Sequence, residues 1–284
     1  MGKRVRAEKP GSSARGGNAA RSSVIGSPAP LFGILLSCIV LAGCGEPKRE
    51  ASTEALVVFC AAAMRTPVEE IAVRYEREHG VPVELHFGGS GTLLAKMEIA
   101  PVDVYLPADG SYIDLAVDRG LVTAAVPVAS LRAGLGVPVG NPEEVASLRD
   151  LFRRDLKVGI AHPEAAAVGR HAKNILTDRE LWSRFEPEAV FPTVTELANA
   201  IRVGALDVAI LWDSVAAQYP DLDFVRVEGL SSEPRVVAAA VISDSSRREE
   251  ALRFCRFLGA GGDGGAILRE LGYEPAPEGG RISP

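Results

Sequence analysis

One unit recurs three times in a row from residue 55: an apolar run, a few small residues, then a stretch with helical apolar spacing. Ala55-Leu56-Val57-Val58-Phe59 opens into Cys60-Ala61-Ala62-Ala63-Met64-Arg65, and Val68, Ile71, Ala72 and Tyr75 follow on one helical face. Val83-Glu84-Leu85-His86-Phe87 opens into Gly88-Gly89-Ser90-Gly91-Thr92, with Leu93, Leu94 and Met97 behind it. Val102-Asp103-Val104-Tyr105-Leu106 opens into Pro107-Ala108-Asp109-Gly110-Ser111, then Ile113, Leu115, Ala116 and Val117 lead to Gly120. Strand and helix periods alternating in this way build a parallel sheet with helices on its faces. The ligand crevice of such a sheet lies beyond the carboxyl ends of its strands, where the small residues stand. The expected fold class is α/β.

Local signals mark where the helices start and stop. Thr66 and Glu69 have capping-box spacing, Pro67 suits a first helical position, and Gly80 is a C-terminal stop. Ser90 is expected as the N-cap of the next helix. The glycines ahead of it, Gly88 and Gly89, are expected to let a ligand approach the main chain closely. Unpartnered first-turn amides at the positive end of a helix favour an anion. No Lys-Ser or Lys-Thr completes a P-loop here, and Leu94 stands where a dinucleotide motif needs its third glycine.

From Val126 the texture changes. Val126 to Gly140 is strand-like and punctuated by glycine and proline, which suits a crossing between lobes. A second α/β set follows: Val158-Gly159-Ile160-Ala161, a helix around Val168 to Leu176, and Thr193 to Glu196 at capping-box spacing. The strand Val208 to Trp212 then ends in Asp213-Ser214. Arg235 to Val241 reads as the return crossing, and a helix with Ala251, Phe254, Cys255 and Leu258 packs back on the first lobe. The expected division is 55–129 with 236–284 as one lobe and 130–235 as the other.

The N-terminus reads as an address. Residues 1–30 carry six basic side chains against Glu8, and Leu31 to Ala42 is an uncharged run of signal-peptide length, short for a membrane span. It closes in Leu41-Ala42-Gly43-Cys44, which looks like a lipobox, so 1–43 is read as a lipoprotein signal peptide and Cys44 as the lipidated residue. Residues 44–54 then form a polar tether. Without 1–43 the chain holds 25 basic and 36 acidic residues, a net −11. That balance excludes nucleic acid as a partner and leaves an anion to be held by local dipoles.

Groups for catalysis are sparse. Ser90 lacks the nucleophile-elbow pattern, because Thr92 stands where its last glycine belongs. A hydrolase would need Cys60 or Asp213, yet Cys60 has no obvious histidine partner, and Asp213 and Asp109 read as helix caps. His79, His86, His162 and His171 are scattered, so no bare metal ion is expected. Cys60 and Cys255 sit in apolar runs and read as buried free thiols, the alternative being a disulfide. A binding reading fits better. Helix starts near Met64, Ser90, Val168 and Val194 would offer amide donors and the Ser90 hydroxyl to a fully ionised oxyanion.

Val58 to Ala63, Phe87 to Leu93, Val104 to Asp109, His162 to Gly169 and Ala209 to Trp212 together resemble the spaced blocks of molybdate-binding proteins. These are the periplasmic or lipoprotein receptors of molybdate/tungstate ABC importers. The resemblance covers 55–275 and implies a two-lobed, type II periplasmic-binding-protein fold, each lobe a mostly parallel sheet flanked by helices. A tetrahedral oxyanion would lie in the interlobe cleft, the metal bound only as its oxyanion and without a cofactor. Ser90 matches a serine donor of the family. Ala63 stands where a serine usually does and keeps only its amide. Val168 and Val194 match positions whose amides reach the ligand, and Trp212 replaces a donating tyrosine. The implied protein is a monomer, not an enzyme, that is anchored outside the cytoplasmic membrane and serves an ABC permease and its ATPase. Sulfate, thiosulfate or another oxyanion is the alternative ligand.

Overall fold

The computed structural model describes residues 54–276. The expected signal peptide, Cys44 and the tether up to residue 53 lie outside them, as do residues 277–284.

The first repeat forms β1 (Leu56–Ala61) and α1 (Arg65–His79), the second β2 (Val83–Gly88) and α2 (Ser90–Lys96), the third β3 (Val104–Leu106) and α3 (Ser111–Asp118). β1 lies between β2 and β3 and is parallel to both. Its Leu56, Val58, Phe59 and Cys60 are buried, as a strand covered by helices on both faces requires. α1 buries Val68, Ile71, Ala72 and Tyr75 and stops at Gly80, whose φ of 69° is left-handed. The long β4 (Val122–Leu131) then leaves this sheet, and after Arg132 alone the chain enters β5 (Ala133–Pro138) of a second sheet.

The second sheet adds β6 (Val158–Ala161), α4 (Ala167–Asp178), β7 (Ala189–Phe191), α5 (Val194–Arg202), β8 (Val208–Trp212), α6 (Asp213–Ala216) and β9 (Leu222–Val225). The chain returns to the first sheet in β10 (Arg235–Ile242), followed by α7 (Arg248–Leu258), α8 (Gly264–Glu270) and β11 (Glu274–Pro275). The strand orders are β11-β4-β10-β3-β1-β2 and β7-β6-β8-β5-β9. α7 packs against β10 and β4, so the chain's end belongs with its beginning.

Both sheets are mixed. The βα repeats pair in parallel, whereas β4, β10 and β11, and β5 and β9, run antiparallel to their neighbours. These strands carry or adjoin the crossings between sheets. β5 and β10 enter their sheets straight from the crossings, without the crossover helix that makes neighbours parallel.

Two helix starts differ from expectation. α1 begins at Arg65, directly behind a 3-10 turn at Ala62–Met64, and Met64 occupies the cap position. Pro67 is therefore the third helical residue, and Thr66 donates instead to Gln218 Oε1 at 2.6 Å. In α2 the cap position belongs to Gly89, and Ser90 is the first helical residue. Ser90 Oγ instead accepts the Ala108 amide at 3.1 Å, a partner brought by β3 and invisible in local sequence. Thr193 does cap α5, its hydroxyl accepting from the Glu196 amide.

Candidate ligand-binding site

Four helical starts meet in one small cavity between the sheets. Ala61 ends β1 and Ala62 and Ala63 form the 3-10 turn behind it, while Gly88 ends β2 and Gly89 and Ser90 start α2. Ala166, Ala167 and Val168 come from the start of α4, and Thr193 and Val194 from the start of α5. Ala108 and Trp212 complete the wall. Ala63, Ser90, Val168, Val194 and Trp212, the residues singled out in the sequence, are thus brought together, and each is at most 4% exposed. Thr193 and Ala108 were not singled out; the capping pattern marks Thr193, but nothing local marks Ala108.

The cavity leaves about 10 Å³ for the centre of a water-sized sphere, close to the room one ordered water needs. A polyatomic ion is larger than one water and seats there only as the wall gives way; a sugar does not enter unless the sheets move apart. None of the thirteen lining residues is charged. Arg65, close in sequence, stacks on Phe87 at 3.9 Å and pairs with Glu69, while Arg170 lies over Tyr112 at 5.1 Å. What the wall offers is main chain at helix N-termini, where the first amides lack intrahelical acceptors.

Ser90 is tied on two sides. Tyr105 donates to its carbonyl at 2.7 Å, and the Ala108 amide donates to its Oγ, which leaves the hydroxyl hydrogen for another acceptor. Ala63 is fixed from behind: its carbonyl accepts the Tyr273 hydroxyl, and Tyr273 accepts Gln218 Nε2 at 2.9 Å. Trp212 is fully buried, its indole stacked on His171 with centroids 5.9 Å apart. Burial, ahead of the opposed fields of Asp109 and Arg235, lowers the basicity of that imidazole.

The groups considered for catalysis are used elsewhere. Burial, more than the field of Arg65, drives the Cys60 thiol far above its ordinary range, and Cys255 is pushed up to about 12 by burial. Both are free cysteines and buried. Asp213 follows the cap residue Trp212; its Oδ1 accepts the Arg132 amide at 3.0 Å and the Ser214 amide at 2.8 Å, which pins the crossing residue. Asp109 is 3% exposed and takes both Nε and Nη2 of Arg235, at 2.7 and 3.1 Å. Its Oδ1 also accepts the Ser111 amide at the start of α3. Among the described residues no cluster of His, Cys, Asp and Glu suits a metal ion.

Gly88 and Gly89 line the cavity, and Gly89 and Gly91 also meet the second lobe. Gly91 donates its amide to Ala165 in the second lobe at 2.8 Å, and Gly89 lies against the carbonyls of Ala165 and Pro192. At these two positions the close approach is lobe to lobe.

Two mixed α/β lobes whose helix N-termini face one another over an uncharged cleft define a bilobal binding protein. The model of the bacterial extracellular solute-binding proteins matches residues 56–274, and the chain belongs to that family. It is 23% identical over 233 residues to a putative ABC transporter substrate-binding lipoprotein, YvgL, of Bacillus subtilis, covering 79% of this chain and 89% of that one. It is 28% identical over 145 residues to the molybdate-binding protein ModA of Escherichia coli, covering 47% of this chain and 55% of that one. The periplasmic molybdate-binding protein of Azotobacter vinelandii has the same fold, with a TM-score of 0.64 at 19% identity over 78% of this chain and all of that one. These relatives are binding proteins, not enzymes. Chains of this fold also include proteins named for sulfate, thiamin and iron, so the fold leaves the ligand open.

Proposed function

We propose that this protein captures a small, fully ionised oxyanion, molybdate or tungstate, and delivers it to an ABC importer's permease and ATPase. The observation that carries the reading is the convergence of four helical starts and the Ser90 hydroxyl on one small, uncharged cavity. Donors without a counter-charge suit an anion with no proton to place. Hydrogen phosphate also needs an acceptor, and no carboxylate lines the wall. In this reading Ala63, Val168 and Val194 give main-chain amides, Ser90 its hydroxyl and Trp212 its indole N–H.

The body moves as two lobes, 55–129 with 236–284 and 130–235. The anion, bridging them, favours the closed form that the permease recognises. Cys44 carries the lipid that keeps the monomer at the outer face of the cytoplasmic membrane.

A thermal-shift panel on the chain from Gly45 tests the ligand. Molybdate and tungstate should each raise the melting temperature at micromolar concentration, sulfate and phosphate only in large excess. The separation follows from size. Sulfate is smaller and cannot reach donors on both lobes at once, and each unpaired buried donor costs about 1–3 kcal/mol. Equal stabilisation by sulfate or thiosulfate would move the assignment to that anion and leave the receptor reading standing.

A further inference from the structure

Gly89 and Gly91 flank Ser90 and meet the second lobe directly. A Cβ added to Gly91 would stand 1.9 Å from the carbonyl oxygen of Glu164, and one on Gly89 would stand 2.3 Å from that of Ala165 and 2.9 Å from that of Pro192. These oxygens are main chain and belong to a braced segment. The Ala165 and Ala166 amides donate to the His162 carbonyl at 3.1 and 2.9 Å, and the His162 amide donates to Phe191 at 2.7 Å. Such atoms cannot swing aside as a side-chain tip would. The neighbouring Gly88 differs, since a Cβ there would meet only Leu93 of its own lobe, at 3.3 Å.

We propose that Gly89 and Gly91 are specificity-determining spacers: their missing side chains set the gap between the lobes and thereby the size of ion that touches both. The ligand class rests on the oxyanion reading above; the gap does not. A methyl group at either position holds the lobes apart by on the order of an ångström, because carbon and oxygen settle near van der Waals separation. Hydrogen bonds fade over that same interval. Donors of one lobe then lose the anion while donors of the other keep it, and the anion that had bridged both loses most.

The test compares Gly89→Ala and Gly91→Ala with the parent chain from Gly45. Gly261→Ala serves as control, since a Cβ there meets nothing within 4 Å. Calorimetry with molybdate, tungstate and sulfate reads affinity. A second readout needs no ligand. Thr66→Cys with Gln218→Cys, whose native side chains touch at 2.6 Å across the lobes, is placed in each background and treated with a short bis-maleimide. The native Cys60 and Cys255 are buried and do not compete. The expected result is slower cross-linking in both glycine variants, an unchanged melting temperature without anion, and molybdate affinity lower by about tenfold or more. Sulfate, which already fails to reach both lobes, should lose less than molybdate. Variants that bind and cross-link like the parent overturn the proposal, as does a parent that fails to cross-link. If no oxyanion binds the parent yet cross-linking still slows in the variants, the spacers stand and the oxyanion reading falls. If the parent binds and the variants match it, the reverse holds.

Discussion

Tyr273 donates its hydroxyl to the carbonyl of Ala63 across 210 positions of sequence, joining the last turn of the described chain to the first turn of the cavity wall. Gln218 donates to the same hydroxyl at 2.9 Å and accepts from Thr66, so both lobes hold this one point.

The substitution Tyr273→Phe leaves the Ala63 carbonyl without its partner and Gln218 Nε2 with the Ser214 carbonyl alone. A buried polar group left unmade costs about 1–3 kcal/mol, which in a body of this size lowers the melting temperature by about 2–4 °C per kcal/mol. Calorimetric melts check the loss, and molybdate affinity should fall with it, because the turn bearing the Ala63 amide is freed. A Tyr273→Phe variant as stable as the parent would show that water replaces the phenol at no cost.

Ser90→Ala should lose about 1.5–3 kcal/mol of anion binding, the scale of a hydrogen bond to a charged group. It also orphans the Ala108 amide, so some stability goes too. Ser214→Ala, outside the cavity wall, is the control and should bind as the parent does. Unchanged calorimetric affinity in Ser90→Ala would remove that hydroxyl from the site.

Two carboxylates, the buried Asp109 and the half-buried Asp213, should respond to pH in opposite senses. Burial opposes the charge of Asp109, but the hydrogen bonds and charge of Arg235 and the Ser111 amide outweigh it and hold the carboxyl below its ordinary range. Its contribution is therefore present above the unfolded value of about 3.9 and is lost as pH falls through the lower folded value. For Asp213 burial dominates over the amides of Arg132 and Ser214, and the carboxyl is held above its ordinary range. Its contribution is present in acid and lost as pH rises through that folded value. At pH 7, Asp109→Asn should cost about 3 kcal/mol, the low end for a broken buried pair because Arg235 is partly exposed. Asp213→Asn should be neutral or stabilising there. Denaturant titrations at neutral and acid pH decide, with the Asp109→Asn deficit shrinking in acid.

Salt should matter little. With a net charge of −11 beyond residue 43 and no cation on the cavity wall, raising ionic strength removes self-repulsion and no attraction. Molybdate affinity should stay flat or rise slightly between about 0.05 and 0.5 M salt. A steep fall would mean that Arg65 or Arg170 swings in to touch the anion.

The parts of this architecture that local chemistry dictates are readable without coordinates. Apolar runs mark β1, β2 and β3, helical stripes mark α1 and α3, and Thr193 with Glu196 marks the start of α5. Four of the lining segments follow from that reading, because strand ends and helix starts are where small residues gather. The partners chosen at a distance are not readable. Nothing near Ser90 announces Ala108, nothing near Ala63 announces Tyr273, and the antiparallel returns of β4 and β10 depend on where the chain goes between lobes. The lobe-to-lobe contacts of Gly89 and Gly91 are unreadable for the same reason, since a sequence signals that something comes close to a glycine without saying what.

The cavity wall has a further consequence for how it would be mapped. Six of its thirteen residues are already alanine, and two more are glycine. An alanine scan, the usual first survey of a recognition surface, would therefore pass over those six as wild type, and at the two glycines it would add a side chain where it is meant to remove one. Contacts made by peptide N–H groups persist whatever side chain hangs beside them. Only chemistry aimed at the backbone, such as an ester in place of a single amide at Ala63, Val168 or Val194, would weigh them one by one.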